Sequence, residues 1–350
     1  MKKILDNLKI IKRFIIKTLK TKTPRFLLKV YYSVKIYFLK LDKNLKEMVL
    51  IFLKNDFDKV SLLWIHLMFH HLKLIERCGN DYKKLNKYIF RHYCLRFNKK
   101  NDLEQLYKIY PENRLMYDHF DENKIYEEIS RLMMNILKNK NLGIEKNLSI
   151  SNINTQDKIQ TAIELEYIKE QVNFNSIECI FEIGSGYGRV PEFLLRTNSF
   201  KKYFIIDIPP ALFLSHQYLK QRFPKIKMSA YSSNLNSTNC REKFYQNDIC
   251  FISLGQLDLL VDFFANKNNL IIAINCLQEI PEKTIINTFK KFSHVVNYAY
   301  IKSSTEPNNP WNDKLLSFDQ ILNIINWKVV HKQIVKFPKI YKEGIFTTHS

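Results

Sequence analysis

The 350 residues are 46% hydrophobic and 25% charged, the proportions of a globular chain, so wholesale disorder is excluded and the length fits two domains. The net charge of +21 is uneven: residues 1–50 hold fourteen Lys or Arg against Asp6, Asp42 and Glu47. Such a segment suits an anionic membrane surface, an acidic substrate or nucleic acid.

Residues 4–19 place Ile4, Leu8, Ile11, Ile15 and Leu19 on one helical face, and Pro24 ends the pattern. With its basic remainder, this stripe fits either an interfacial helix on anionic lipid or packing against the helices that follow. Met1-Lys-Lys opens like a signal peptide, but Asp6, Lys9, Lys12 and Arg13 interrupt any apolar core. The best candidate for a membrane span, 60–69, is far short of the roughly 20 apolar residues required. Residues 26–38 are apolar, basic and aromatic, 45–100 keep helical spacing, and 124–138 read as a helix. Asn-rich sequence at 147–154 reads as a linker, which divides the chain into an all-helical basic region, 1–150, and a second domain, 151–350.

In the second domain a helix near 157–171 leads to an apolar run, Ile177–Ile183, and a glycine cluster. A helix at 188–197, an apolar run at 203–207 and a helix at 211–223 follow. Further strands are expected at 226–230 (the weakest), 249–254, 270–276 and 295–301. Strands alternating with helices predict an α/β fold with a doubly wound, Rossmann-like parallel sheet. The six cysteines make no Cys-x-x-Cys pair, so no zinc site is expected and a reducing cytoplasm is the natural compartment.

Three of the seven glycines fall in Glu182-Ile-Gly-Ser-Gly-Tyr-Gly188. Strand, tight turn and helix start are read in that order. Gly184 and Gly186 permit positive φ and close approach of a ligand. The helix beginning near Gly188 presents N–H groups to an anion. Asp207 follows the next apolar run, 19 residues past Gly188, where an acid accepts hydrogen bonds from ribose hydroxyls. Glu182 is placed to face a cationic end of the ligand. A nicotinamide site normally spaces its glycines Gly-x-Gly-x-x-Gly, and here the third comes one residue early. The pattern points to S-adenosylmethionine, held by Glu182, Gly184, Ser185, Gly186, Gly188 and Asp207, with a nicotinamide dinucleotide as the weaker alternative.

Beyond these residues, Phe181–Arg189, Asp207-Ile-Pro-Pro-Ala-Leu212 with Tyr218-Leu-Lys, Asn275-Cys-Leu-Gln-Glu279 and Tyr298-Ala-Tyr-Ile-Lys302 resemble a family of bacterial sugar O-methyltransferases. The resemblance covers roughly 110–350 and is best from 177 to 302. It implies a class I methyltransferase fold and methyl transfer from S-adenosylmethionine to a sugar hydroxyl in surface-polysaccharide synthesis.

A sugar hydroxyl is a poor nucleophile, so a base is expected beyond the carboxyl ends of the strands. Glu279 is the first choice, and a solvated carboxylate at a helix start is its alternative. Gln278, with Asn275, either orients the acceptor or caps the next helix. No metal ligands are assigned: His66, His70 and His71 fit a polar helix face, Asp258 and Asp262 an exposed acidic face, and His216 a helix surface. Asp207-Ile-Pro-Pro follows the second strand, whereas the Asp-Pro-Pro-Tyr motif of base-flipping N-methylating enzymes follows the fourth, which argues against an N-methylating DNA enzyme despite the charge. A non-catalytic, membrane-associated protein on the same fold and, on charge alone, a nucleic-acid methyltransferase are the alternatives.

Overall fold

In a computed structural model of the chain the described residues are 25–79, 81–85, 154–196, 200–229, 242, 244–261, 264, 268–305, 315–335 and 341–348. The stripe at 4–19 and the helix expected at 124–138 lie outside them.

The described N-terminal region is helical: α1 (Arg25–Phe38), α2 (Lys43–Asn55) and α3 (Leu62–Cys78). The Asp42 carboxylate starts α2 by accepting from the N–H groups of Asn44 and Leu45 at 3.0 and 3.2 Å. Ser61 starts α3 by accepting from the Trp64 N–H at 3.4 Å, and Gly79 closes it at φ +57°. Beyond the N-terminal helices the described residues run α4 (Asn154–Gln171), β1 (Cys179–Ile183), α5 (Arg189–Arg196), β2 (Lys202–Ile206) and α6 (Pro209–Arg222). They continue through β3 (Ile249–Ile252), β4 (Asn269–Ile274), α7 (Glu282–Phe292), β5 (Tyr298–Ser304), α8 (Phe318–Ile325), β6 (Lys328–Ile334) and β7 (Tyr341–Thr347). Pro209 and Pro210 occupy the first turn of α6, where a missing N–H costs nothing.

The seven described strands form one sheet in the order β3-β2-β1-β4-β5-β7-β6. Neighbours among β1 to β5 are parallel, and β7 runs antiparallel to both β5 and β6. Alternation along each strand feeds two cores. Ile180, Tyr203, Ile205 and Ile272 face the one shared with α1–α6, and Phe181, Phe204, Ile206 and Ile271 face the one shared with α7 and α8. The N-terminal helices thus add to the first core, packing on α6 through α2 and α3.

The segment 226–230, expected as a strand, makes only a single bridge, Met228 to Ile249. Ile226 and Met228 pack on the core while Lys225 and Lys227 are exposed, and the segment lies along the edge of β3, which is the true third strand. The hairpin of β6 and β7 was not expected from the sequence. Six of the seven β6 residues are exposed, so no hydrophobic alternation marks it.

Candidate active site

After Ile183 the chain turns through three left-handed glycines, Gly184 at φ +75°, Gly186 at +60° and Gly188 at +91°. A Cβ at 184 would stand 2.3 Å from the Cys276 Cβ, so the loops after β1 and β4 touch there. The Cys276 thiol completes that contact, donating to the Ile183 carbonyl at 2.9 Å. Asp207, one residue past β2, ties the turn down from the other side. Its Oδ2 accepts from the Gly186 N–H at 2.9 Å and its Oδ1 from the Ile208 N–H at 2.7 Å. Burial pushes the Asp207 carboxyl up to about 7, against the pull of those two N–H groups.

These groups border a cleft of about 220 Å³. Gly184, Ser185, Gly186 and Arg189 form one wall, Asp207 and Leu254 a second, and Asn275, Cys276 and Glu279 a third. The cleft opens beyond the carboxyl ends of the strands where the strand order reverses between β1 and β4, the place where open α/β sheets bind ligands. Val60 and Trp64 of the N-terminal region roof it.

Glu279 lies under that roof, and the Trp64 indole N–H donates to its Oε2. Its carboxyl is raised to about 7, chiefly by burial; the indole N–H lowers it and the charge of Asp207 raises it. The Cys276 thiol between them is pushed up by burial and then by Asp207, Glu279 and Glu182.

Two of the expected site residues are elsewhere. Glu182 is still within β1, and the pleat turns its side chain to the helical core, away from the cleft. There its Oε2 accepts from the Tyr203 hydroxyl at 2.9 Å, and burial raises it to about 7. Gln278 sits in the 3-10 turn Leu277–Glu279, which sends neighbouring side chains different ways. Its Oε1 accepts from the Ser303 hydroxyl at 2.8 Å and the Ser304 N–H at 2.9 Å, holding the loop to β5 instead of lining the cleft. His216 packs edge-on against Phe251 at 5.1 Å and is lowered to about 4 by burial and then by Lys220. His71 is buried and His70 exposed, Asp258 pairs with Lys291, and Asp262 lies outside the described residues. No group of three His, Cys, Asp or Glu that would hold a metal occurs among the described residues.

Two residues lining the cleft, Trp64 and Arg189, were not singled out as site residues from the sequence. Trp64 comes from 215 positions before Glu279, a distance no local pattern spans. Arg189 was read only as the start of a helix. Its guanidinium donates to the Glu164 Oε2 at 2.7 Å and the Thr161 hydroxyl at 2.6 Å, while the Lys302 ammonium donates to the other Glu164 oxygen at 2.7 Å. Glu164 and Lys302 are both buried. Burial alone would raise the Glu164 carboxyl, but the two cations overcome it and hold it below its ordinary value.

A sheet of this order, with β7 reversed between β5 and β6, is the class I methyltransferase fold. No family model and no curated protein matches the sequence. Among solved structures it is similar to a SAM-dependent methyltransferase of Leishmania major, at 10% identity over 70% of this chain and 90% of that one, TM-score 0.38. It is also similar to an S-adenosylmethionine-dependent methyltransferase of Clostridium acetobutylicum, at 9% identity over 53% and 89%, TM-score 0.35. A third is M. capricolum TrmK in complex with S-adenosyl-homocysteine, at 14% identity over 51% and 66%, TM-score 0.32. The fold assignment rests on the strand order, not on these likenesses.

Proposed function

We propose that this protein is an S-adenosylmethionine-dependent O-methyltransferase whose acceptor is a sugar hydroxyl. The observation that carries the reading is the convergence, in one cleft at the sheet's switch point, of the left-handed glycine turn, Asp207 and Glu279. Asp207 and Glu279 both stand near pKa 7 because burial has no opposing positive charge beside them. A ligand bearing a sulfonium cation draws such carboxyls back to their charged forms, and in return they hold it. Each Asp207 oxygen keeps a lone pair beyond its one backbone bond, and those suit a ribose diol.

When bound, S-adenosylmethionine supplies a methyl group already activated for in-line displacement. The chain has to align the two partners and take a proton. The hydroxyl oxygen forms its new bond to the methyl carbon as the carbon–sulfur bond breaks and its electron pair returns to sulfur. Glu279, held near neutrality under Trp64, receives the hydroxyl proton. The sugar as acceptor is supported by the resemblance of 177–302.

Calorimetry with S-adenosylmethionine and S-adenosylhomocysteine tests the first step. The wild type is expected to bind both. Gly186→Val, which puts a branched side chain at φ +60° against the ligand's path, is expected to bind neither while still melting cooperatively. A wild type that binds neither compound refutes the proposal.

A further inference from the structure

We propose that Asn275 is the residue that reads the methyl acceptor, its amide taking two adjacent hydroxyls of a polyol ring beside the one that Glu279 deprotonates. The inference rests on the methyltransferase reading and adds the recognition element that reading lacks.

Asn275 stands one residue past β4 with φ +54°, a left-handed backbone that side-chain-bearing residues adopt only at a cost. Its main chain is anchored, since its N–H donates to the Lys302 carbonyl at 2.8 Å. Its side chain is not: Oδ1 and Nδ2 are both buried and bond to nothing among the described residues. A buried amide with both ends unmet is expensive, and such residues cluster where a ligand supplies the missing partner.

A capping role does not account for it. Pro281 is the residue before α7, with no side-chain cap bond, and the 3-10 turn Leu277–Glu279 starts at Cys276, again without one. The neighbouring amide of Gln278 has taken over the structural bonds to Ser303 and Ser304.

Position decides which ligand it meets. Asp207 and the glycine turn serve the side of the crevice at β1 and β2. Asn275 lies across the switch point on the β4 side, on the wall that carries Glu279 and beneath the Trp64 roof. A primary amide presents a donor and an acceptor side by side, and a vicinal diol answers with the same pair.

The test uses the full chain and Asn275→Gly, which relieves the left-handed strain and removes the unmet amide together. Three measurements are made: melting without ligand, S-adenosylhomocysteine affinity by calorimetry, and saturation-transfer NMR of methyl glycosides of the common hexoses on the S-adenosylhomocysteine complex. The variant is expected to melt at or above the wild-type temperature, to keep its S-adenosylhomocysteine affinity, and to lose about tenfold or more in affinity for the glycoside that the wild type binds. A lower melting temperature would make the amide structural. A tenfold loss of S-adenosylhomocysteine affinity would assign it to the cofactor. A wild-type complex giving no transfer to any glycoside would overturn the diol. If the wild type binds no S-adenosylhomocysteine, the methyltransferase reading fails first, and this inference with it.

Discussion

Glu182 and Glu279 are both buried carboxyls raised to about 7, and only Glu279 borders the cleft. The difference is one of partners. Glu182 is held by the Tyr203 hydroxyl within the helical core and does not line the cleft. Glu279 is held by an indole N–H that cannot take its proton, which leaves the second oxygen for an incoming hydroxyl. As a base it has to be deprotonated, so kcat/KM for S-adenosylmethionine, which reports the free enzyme, should rise as pH climbs through about 7 and level off above. Glu279→Gln is expected to retain S-adenosylhomocysteine affinity, to lose about 10²–10⁴ in methyl-transfer rate, and to lose that acid limb. Unchanged turnover with chemistry rate-limiting would remove Glu279 from the base role. Sequence alone located Asp207 and the glycines because each follows an apolar run, where a strand's end is visible. It could not separate Glu182 from the ligand, because the facing of a residue inside a strand depends on which core each side of the sheet meets.

At the scale of elements, α3 does more than cover the sheet, since its first turn reaches the cleft. Ser61 fixes where α3 starts, and three residues on Trp64 arrives over Glu279. The protonation of Glu279 should therefore be legible in the emission of Trp64. In a chain with Trp311 and Trp327 replaced by Phe, Trp64 fluorescence is expected to titrate near pH 7, and Glu279→Gln should abolish the titration. A curve that persists in that variant would show that Trp64 senses some other group. The unit β1, turn, α5, β2, α6 was readable in advance because glycines, prolines and two fully buried strands punctuate it. The third strand was ambiguous, since 226–230, though weaker, and 249–254 both read as strands, and pairing with β2 distinguishes them. The β6 and β7 hairpin was invisible for a related reason. Its outer strand leaves Val329, Val330 and Ile334 in the open, so the sheet edge is set by hydrogen bonds to β7 and not by burial.

For the molecule as a whole, three carboxyls with folded pKa values near 7 make stability depend on pH. Their ordinary values lie near 4, so between about 4 and 7 the folded chain binds protons that the unfolded chain has released. The contribution of Glu182, Asp207 and Glu279 is fully present below about 4 and is lost as pH rises through about 7. His216 works the other way between about 4 and 6.5, because its folded value is depressed. Three raised carboxyls outweigh the one histidine, so the steepest loss of stability without ligand is expected between about pH 5 and 6.5, fading above 7. Urea midpoints should fall over that interval, and Asp207→Asn with Glu279→Gln should flatten the curve; an equal slope in the double variant would rule these two groups out as its source. Over the same fold, the N-terminal helices and the sheet share one core, and at one point they meet without clearance. A Cβ on Gly255, just past β3, would stand 2.1 Å from a carboxylate oxygen of Asp56, which is itself buried and gripped by Lys59 at 2.8 Å. Leu254, beside that glycine, lines one wall of the cleft, and Val60, four residues past Asp56, lines its roof. Gly255 and Asp56 thus act as notch and key: wall and roof of the cleft keep a common register, and a single methyl group added at 255 would pry the two apart far from any reacting atom.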